Sequence, residues 1–335
     1  MSYLMMDLVA TSVSSREAQL LQAPCVGGLI LFSRNYVDKS QLKQLIKQVR
    51  SIRPDLLIAV DHEGGRVQRF IKDFNKIPAM GSLIKRANGD IEQASLWATE
   101  LGWLMAAELL NCGIDLSFAP VLDRHGISDV IGERAFSDDP KQIVQLASAF
   151  IEGMNQAGMH AVGKHFPGHG SVKADSHVAS PIDHRSFEQV WQQDSQPFVD
   201  CANAGLLSGL MPAHVIFDSI DPNPAGFSAF WLQRIVRQKM AFKGTLFSDD
   251  LSMHGAATAG DYPSRIKAAL EAGCDMLLLC NCAEALEEVI SQYPWPQTPP
   301  HSPGQNLCSH RLWHEFQQSQ PERYRQAVEY CSLLA

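Results

Sequence analysis

The sequence predicts a single (β/α)8 barrel of TIM type that carries a C-terminal helical appendage. Three observations point to it. Eight short apolar runs bounded by turn residues recur along the chain. Helical patterns lie between them, which implies parallel pairing through crossover connections. Polar residues crowd just past the runs, and a parallel barrel gathers all those strand ends on one rim, where active sites lie.

The runs are Leu4–Val9, Val26–Phe32, Leu56–Val60, Ile114–Phe118, His160–His165, Gly209–His214, Gly244–Phe247 and Asp275–Cys280. Helical patterns cover Ser40–Ile52, Glu92–Leu110, Pro140–Ala157, Ser186–Ala204, Ala229–Met240 and Pro263–Ala272. Several end near Gly113, Gly158, Gly205 or Gly273, which suits left-handed C-terminal caps. A doubly wound open sheet is the alternative, but no glycine-rich phosphate loop follows an early strand. The rim residues are Asp7, Ser33-Arg34-Asn35, Asp61-His62-Glu63, Asp123, Lys164-His165, His214, Asp249-Asp250 and Asn281. Residues 1–290 form the expected barrel. Residues 291–335 form the appendage: five prolines between Tyr293 and Gly304 mark an extended strap, and helical patterns occur after it at Ser309–Gln317 and Pro321–Leu333.

Apolar residues make up 45% of the 335 positions and charged residues 19%, which is ordinary globular composition and excludes disorder. The net charge of −8 argues against a nucleic-acid partner, which would require a clustered basic excess. No apolar run reaches the roughly 18 residues that span a bilayer, so no membrane partner is expected. The N-terminus carries Asp7 and no basic region before its apolar residues, and reads as the first strand instead of a signal peptide. The eight cysteines sit in helix and strand contexts and read as reduced, mostly buried thiols. Cys280 and Cys282 form a C-x-C pair with no second pair at metal spacing. A cytoplasmic monomer without cofactor or metal is the expectation.

Four segments can carry chemistry. Lys164-His165-Phe166-Pro167-Gly168-His169-Gly170 runs from a strand into a loop that holds Asp175-Ser176-His177. An Asp beside a His can orient the imidazole and stabilise its charged form, which suits general acid/base work near neutral pH; a polar surface loop is the other reading. Phe247-Ser248-Asp249-Asp250-Leu251-Ser252-Met253 ends a strand in two carboxylates. One can serve as nucleophile or electrostatic stabiliser, and the other can cap the next segment of chain. Asp61-His62-Glu63-Gly64-Gly65-Arg66-Val67-Gln68-Arg69 lacks the second His of a zincin; Asp61 can accept hydroxyl bonds and Arg69 can donate. Ile131-Gly132-Glu133-Arg134 offers Arg134 as a ligand clamp or a surface ion pair.

Together these segments resemble the family 3 glycoside hydrolases, in particular the single-domain bacterial β-N-acetylglucosaminidases of peptidoglycan recycling. The likeness rests on GGLILFSRNY (27–36), AVDHEGGRVQRF (59–70), FAPVLD (118–123), IGERAFSDDP (131–140), GKHFPGHG with DSH (163–177) and FSDDLSM (247–253). The resemblance implies Asp249 as nucleophile, His177 as general acid/base and Asp175 as its dyad partner. It implies Asp61, Arg69, Arg134, Lys164 and His165 as the residues that hold the hydroxyls and N-acetyl group of the sugar. It also implies release of terminal β-linked GlcNAc from muropeptides of the GlcNAc-1,6-anhydroMurNAc type, with retention. Two departures stand out: His62 where relatives often have Gln, and His254 where Glu is commoner.

Three alternatives are open at the level of sequence. A metal-dependent barrel hydrolase would draw on His165, His169, His177, His214, Asp61 and Asp249, but no H-x-H closes the first strand and Lys164 would repel a cation. A non-catalytic sugar-binding protein would not require the Asp175/His177 pair. A phosphorylase variant is compatible with an imidazole donor, which repels an incoming phosphate less than a carboxylate does. If His177 is not the donor, Glu63 and Glu133 are the next carboxyl candidates.

Overall fold

A computed structural model describes residues 3–173, 181–296, 307–308 and 320–334. Each of the eight apolar runs contains a parallel strand. They are β1 (Leu4–Met6), β2 (Val26–Leu31), β3 (Leu57–Val60), β4 (Leu116–Ser117), β5 (Val162–Phe166), β6 (Gly209–Pro212), β7 (Thr245–Leu246) and β8 (Leu277–Leu278). Five form one arc in the order β8-β1-β2-β3-β4, and three form another in the order β7-β6-β5. The arcs meet at both edges through single parallel bridges, Val121 to Lys164 and Phe247 to Met276. The architecture is therefore α/β with parallel strands in chain order.

The strands are shorter than the apolar runs that contain them. Prolines at 120, 167 and 212 remove ladder donors, and the register shifts between Leu4 and Met5 and between Lys164 and Phe166. Past those points the backbone turns away, which releases the next polar residues to the rim.

Alternation sorts each strand into two layers. Met5, Ile30, Leu57, Ala59, Leu116, Val162, Met211 and Leu278 join Phe118 and Phe247 in an interior cluster. The two rings meet edge-on at 5.1 Å. Leu4, Met6, Leu29, Leu31, Ile58 and Val60 face the other way, against the helices. Apolar cover on both faces is why the strands read as near-continuous apolar runs.

The predicted helices form with small boundary changes, and Pro321–Leu333 has the bounds expected from its pattern. Three further helices, Ser15–Leu21, the single turn Leu83–Arg86 and Ala283–Gln292, lie where no helix was expected. The Ser186–Ala204 pattern forms a helix broken by one wide turn at Trp191–Ser195. Helix Pro321–Leu333 docks on Ile91–Asn111: Arg323 pairs with Glu100 at 2.9 Å and the Tyr324 hydroxyl donates to Glu108 at 3.2 Å. The expected helix at Ser309–Gln317, and Pro299, Pro300 and Pro303 of the strap, lie outside the described residues. Among the described residues no helix is long and apolar enough to cross a membrane.

The tightest helix pair is Ile91–Asn111 against Pro140–Gln156, capped by Asp90 and Asp139. Gly102 and Gly153 let the backbones touch. A Cβ on Gly153 would sit 1.9 Å from the Thr99 carbonyl oxygen, and one on Gly102 2.2 Å from that of Phe150. Ala is intrinsically the better helix former by about 1 kcal/mol, so propensity alone predicts that Gly153→Ala stabilises. The clash is with rigid backbone and prevails. Gly153→Ala should lower the unfolding free energy by about 1–3 kcal/mol in urea denaturation; a gain would mean that the helices separate freely.

Candidate active site

Four rim segments converge on one cleft of about 570 Å³. β3 delivers Asp61, and a short antiparallel hairpin, His62–Gly64 with Val67–Gln68, brings in Glu63 and Arg69. β5 delivers Lys164 and His165, the segment after β7 delivers Asp249 and Asp250, and the turn at Gly132–Arg134 delivers Arg134. All six described residues expected in the site (Asp61, Arg69, Arg134, Lys164, His165 and Asp249) line this cleft. Asp175 and His177 lie outside the described residues.

The floor is an ion cluster. The Lys164 side chain is only 3% exposed, and its Nζ donates to Asp61 Oδ1 at 2.8 Å and lies 2.6 Å from Glu63 Oε1. Arg134 clamps the same Glu63 with two bonds, Nε to Oε2 at 2.8 Å and Nη2 to Oε1 at 2.7 Å. Arg69 Nη2 reaches Asp61 Oδ2 at 3.4 Å. Burial drives the Glu63 carboxyl up, but Arg134 and Lys164 more than reverse this and hold it well below the usual carboxylate range. Asp61 is likewise pushed up by burial and brought below its ordinary value by Lys164 and Arg69.

This corrects the two fallback proton donors. Glu63 is held ionised by two cations, so it has no proton to give. Glu133 is exposed and faces a different cavity, beside Gly65, Lys76 and Lys85. Arg134, left open as clamp or surface pair, is a mostly buried clamp on Glu63.

His165 is fixed from behind by Asp123. One oxygen of this fully buried carboxylate accepts from the His165 backbone N–H at 3.0 Å and lies 2.7 Å from Nδ1; the other accepts from the His169 N–H at 2.7 Å. Nδ1 is thus committed to Asp123 while the ring lines the cleft. Burial raises the Asp123 carboxyl, but His165 and His169 outweigh it and lower it overall. Asp123 was visible as a rim residue, but its role depends on the adjacency of β4 and β5.

The adjacent carboxylates have separate environments. Asp250 turns into backbone: it accepts from Ser252 N–H at 2.9 Å, Ser252 Oγ at 2.8 Å and Cys280 N–H at 3.2 Å. Burial still pushes its carboxyl up to about 6. Asp249 lines the cleft, where its Oδ1 accepts the Asp250 N–H at 2.8 Å. No described cation forms an ion pair with it.

The two departures also resolve. His62 packs away from the cleft between Phe70 and Phe74, at centroid distances of 5.9 and 5.5 Å. Burial, then Arg69 and Lys39, push its imidazole down to about 3, so it adds no charge to the site. His254 is exposed and lines the cleft. The thiols are poor metal ligands: burial raises Cys282 to about 12 and Cys280 well above its ordinary value, so both stay protonated.

A family model described as the glycosyl hydrolase family 3 N terminal domain matches residues 4–298. A beta-hexosaminidase of Shewanella frigidimarina is 59% identical over 300 residues, covering 90% of this chain and 88% of that protein. One of Tolumonas auensis is 56% identical over 310 residues, covering 92% and 91%. The crystal structure of NagZ from Neisseria gonorrhoeae in complex with N-trifluoroacetyl-D-glucosamine superposes with a TM-score of 0.88 at 39% identity, covering 100% of this chain and 98% of that one.

Glu63→Gln should expose the weight of the ion cluster, because Lys164 and Arg134 stay buried after their shared anion is lost. Unfolding free energy at pH 7 should fall by about 3–5 kcal/mol in urea denaturation. The folded pKa of Glu63 lies below its unfolded value. Its contribution is therefore complete above the unfolded pKa of about 4.3 and disappears as pH falls through the folded value. The stability curves of parent and variant should converge in acid. A constant gap down to strong acid would deny Glu63 this role.

Proposed function

Because the chain belongs to glycosyl hydrolase family 3 and is a β-N-acetylhexosaminidase, we propose that it is a retaining exo-enzyme. Its substrate is terminal β-linked GlcNAc on muropeptides of the GlcNAc-1,6-anhydroMurNAc type, in cytoplasmic cell-wall recycling. The chain acts as a monomer, with its two arcs closed as one (β/α)8 barrel over residues 1–290 and residues 291–335 as the appendage.

The observation that carries the mechanism is how the acidic groups divide. Asp61 and Glu63 are committed to cations, and Asp250 is committed to backbone and Ser252. Asp249 lines the cleft and, among the described residues, forms no ion pair with a cation, which suits attack on an anomeric carbon. The carboxylate forms a bond to that carbon while the bond to the leaving oxygen breaks, and water later releases the sugar with net retention. Lys164, Arg134, Arg69 and His165 supply donors and acceptors, and Asp61 supplies an acceptor, for the hydroxyls and the N-acetyl group.

The proton for the leaving oxygen comes from His177, oriented by Asp175. An imidazole needs no burial to titrate near pH 6.5, whereas a carboxylic acid would. Activity therefore falls as pH rises through neutrality, because the donor loses its proton.

Asp249→Ala should reduce hydrolysis by roughly 10⁴-fold or more while the fold stays intact. A fluorosugar should label Asp249 in mass spectrometry. An oxazoline product without label would assign the attack to the substrate's own acetamido group.

His177→Ala should lose most on disaccharides and far less on aryl glycosides, whose phenolate departs without a proton. Asp175→Ala should resemble it more weakly. Equal losses on both substrates, with an unaltered basic limb, would remove His177 from the role. Turnover of an aryl N-acetyl-β-glucosaminide should exceed that of the matching glucoside, and equal rates would sink the assigned specificity.

A further inference from the structure

His214 lies two residues past β6 and is fully buried, and neither of its ring nitrogens completes a hydrogen bond among the described residues. A buried polar group in that state is costly and calls for an explanation. The ring is held firmly. It packs on Phe227 at 5.2 Å between centroids. The Ala225–Phe227 turn is clasped to the same segment by Gly226 N–H to Ala213 O at 3.1 Å and Ala225 N–H to Val215 O at 2.9 Å. The Nδ1–Cε1 edge lies over Gly226, where an ideal Cβ would sit 3.5 and 3.6 Å from those atoms, so Nε2 points away from that glycine. The strands β6 and β7 pair side by side, which brings His214 close to the Asp249–Asp250 backbone and to the Asp249 charge.

A plain packing role would be better served by Phe or Leu, which bring no unpaired nitrogen. We infer that His214 is a positioning residue for Asp249: its imidazole braces the Ser248–Asp250 turn from below and holds the attacking carboxylate toward the sugar. This rests on the reading of Asp249 as nucleophile. Burial lowers the imidazole pKa below its ordinary 6.5 despite the attraction of Asp249, and Arg265 acts in the same direction as burial. The ring is therefore neutral at working pH and offers Asp249 one N–H dipole without competing for its charge. The groups that bear on Asp249 are Asp250 on its own turn, His169 from the β5 loop and His214. Loss of the His214 ring nitrogens leaves the turn without its brace, so the Asp249 carboxylate loses its fixed orientation.

The test compares His214→Phe, which keeps the ring shape and drops both nitrogens, with His214→Gln, which restores an amide N–H near Nε2. Three quantities are read on aryl N-acetyl-β-glucosaminide: kcat, KM and the pH profile, beside the thermal midpoint. H214F should fold with an unchanged or higher midpoint and keep KM within about twofold, while kcat falls roughly 10- to 100-fold. The pH profile of kcat should keep its limbs, and H214Q should recover most of the loss. Wild-type kcat in H214F, a loss that tracks the midpoint, or a loss that H214Q does not relieve would overturn the inference. If H214F does not fold, His214→Leu takes its place against H214Q under the same criteria. Fluorosugar labelling keeps the two readings apart. A label elsewhere than Asp249 in the unaltered enzyme defeats the nucleophile assignment. A label on Asp249 that forms at an unchanged rate in H214F defeats only the role of His214.

Discussion

A buried ammonium sets the terms of this site. Lys164 lies buried within β5 at the rim, where removal of a charge from water costs far more than any single hydrogen bond returns. Its partners must come from close by, and the segment after β3 supplies both Asp61 and Glu63. Two carboxylates on one ammonium overcompensate, so Arg134 is recruited onto Glu63. The quartet is then neutral within itself, and Arg69 adds a cation at its open edge. A sugar laid on this floor meets fixed donors and acceptors that need no reorganisation when charge develops on the ring.

The scaffold details serve to keep that quartet together. Glu63 can reach back only because the chain reverses at Gly64, whose φ is +101° and whose Cβ would collide with the Pro78 carbonyl at 2.6 Å. Arg134 arrives on a turn pressed against Gly81, where a Cβ would stand 2.7 Å from the Ala135 oxygen. Behind these turns the Ile91–Asn111 and Pro140–Gln156 helices meet backbone to backbone. The clamp is thus mounted on packed elements and not on free loops, which is what a preorganised site demands.

The strands were legible because both faces of each are covered, so each appears as an uninterrupted apolar run. Their ends were less legible, because register shifts and missing proline donors do not show in hydropathy. The Ser15–Leu21 helix carried a readable signal in Ser14 and Glu17, a capping box in which each satisfies the other's backbone donor. The hairpin at His62–Gln68 carried none, since it alternates in no period. Residue types at the rim pointed to side chains that share one cleft, but partnerships across it were hidden. Glu63 looked like a proton donor until two cations were found on it, and Asp123 looked like a bystander until β4 and β5 were seen side by side. His62 seemed able to change the charge of the site, and only its burial between two phenylalanines shows that it does not.

The pair Asp249-Asp250 shows how three dimensions decide what one dimension leaves open. In sequence the two are equivalent. In the fold both line the cleft, but Asp250 spends its oxygens on Ser252 and on the β8 edge, whereas Asp249 accepts only the Asp250 N–H among the described residues. Asp250 gains four hydrogen bonds, from Ser252 N–H and Oγ, Cys280 N–H and the Asn281 amide, yet burial still raises it to about 6. It serves as a brace whose donors define the turn. Asp249 receives the Asp250 N–H on one oxygen and lines the cleft. Two like carboxylates are thus separated by environment, one structural and one free to react, as a pair needs to be when only one can bond to the substrate. The same turn lies beside His214, so the Asp249–Asp250 segment is framed by its own strand, by the β8 edge and by β6 together.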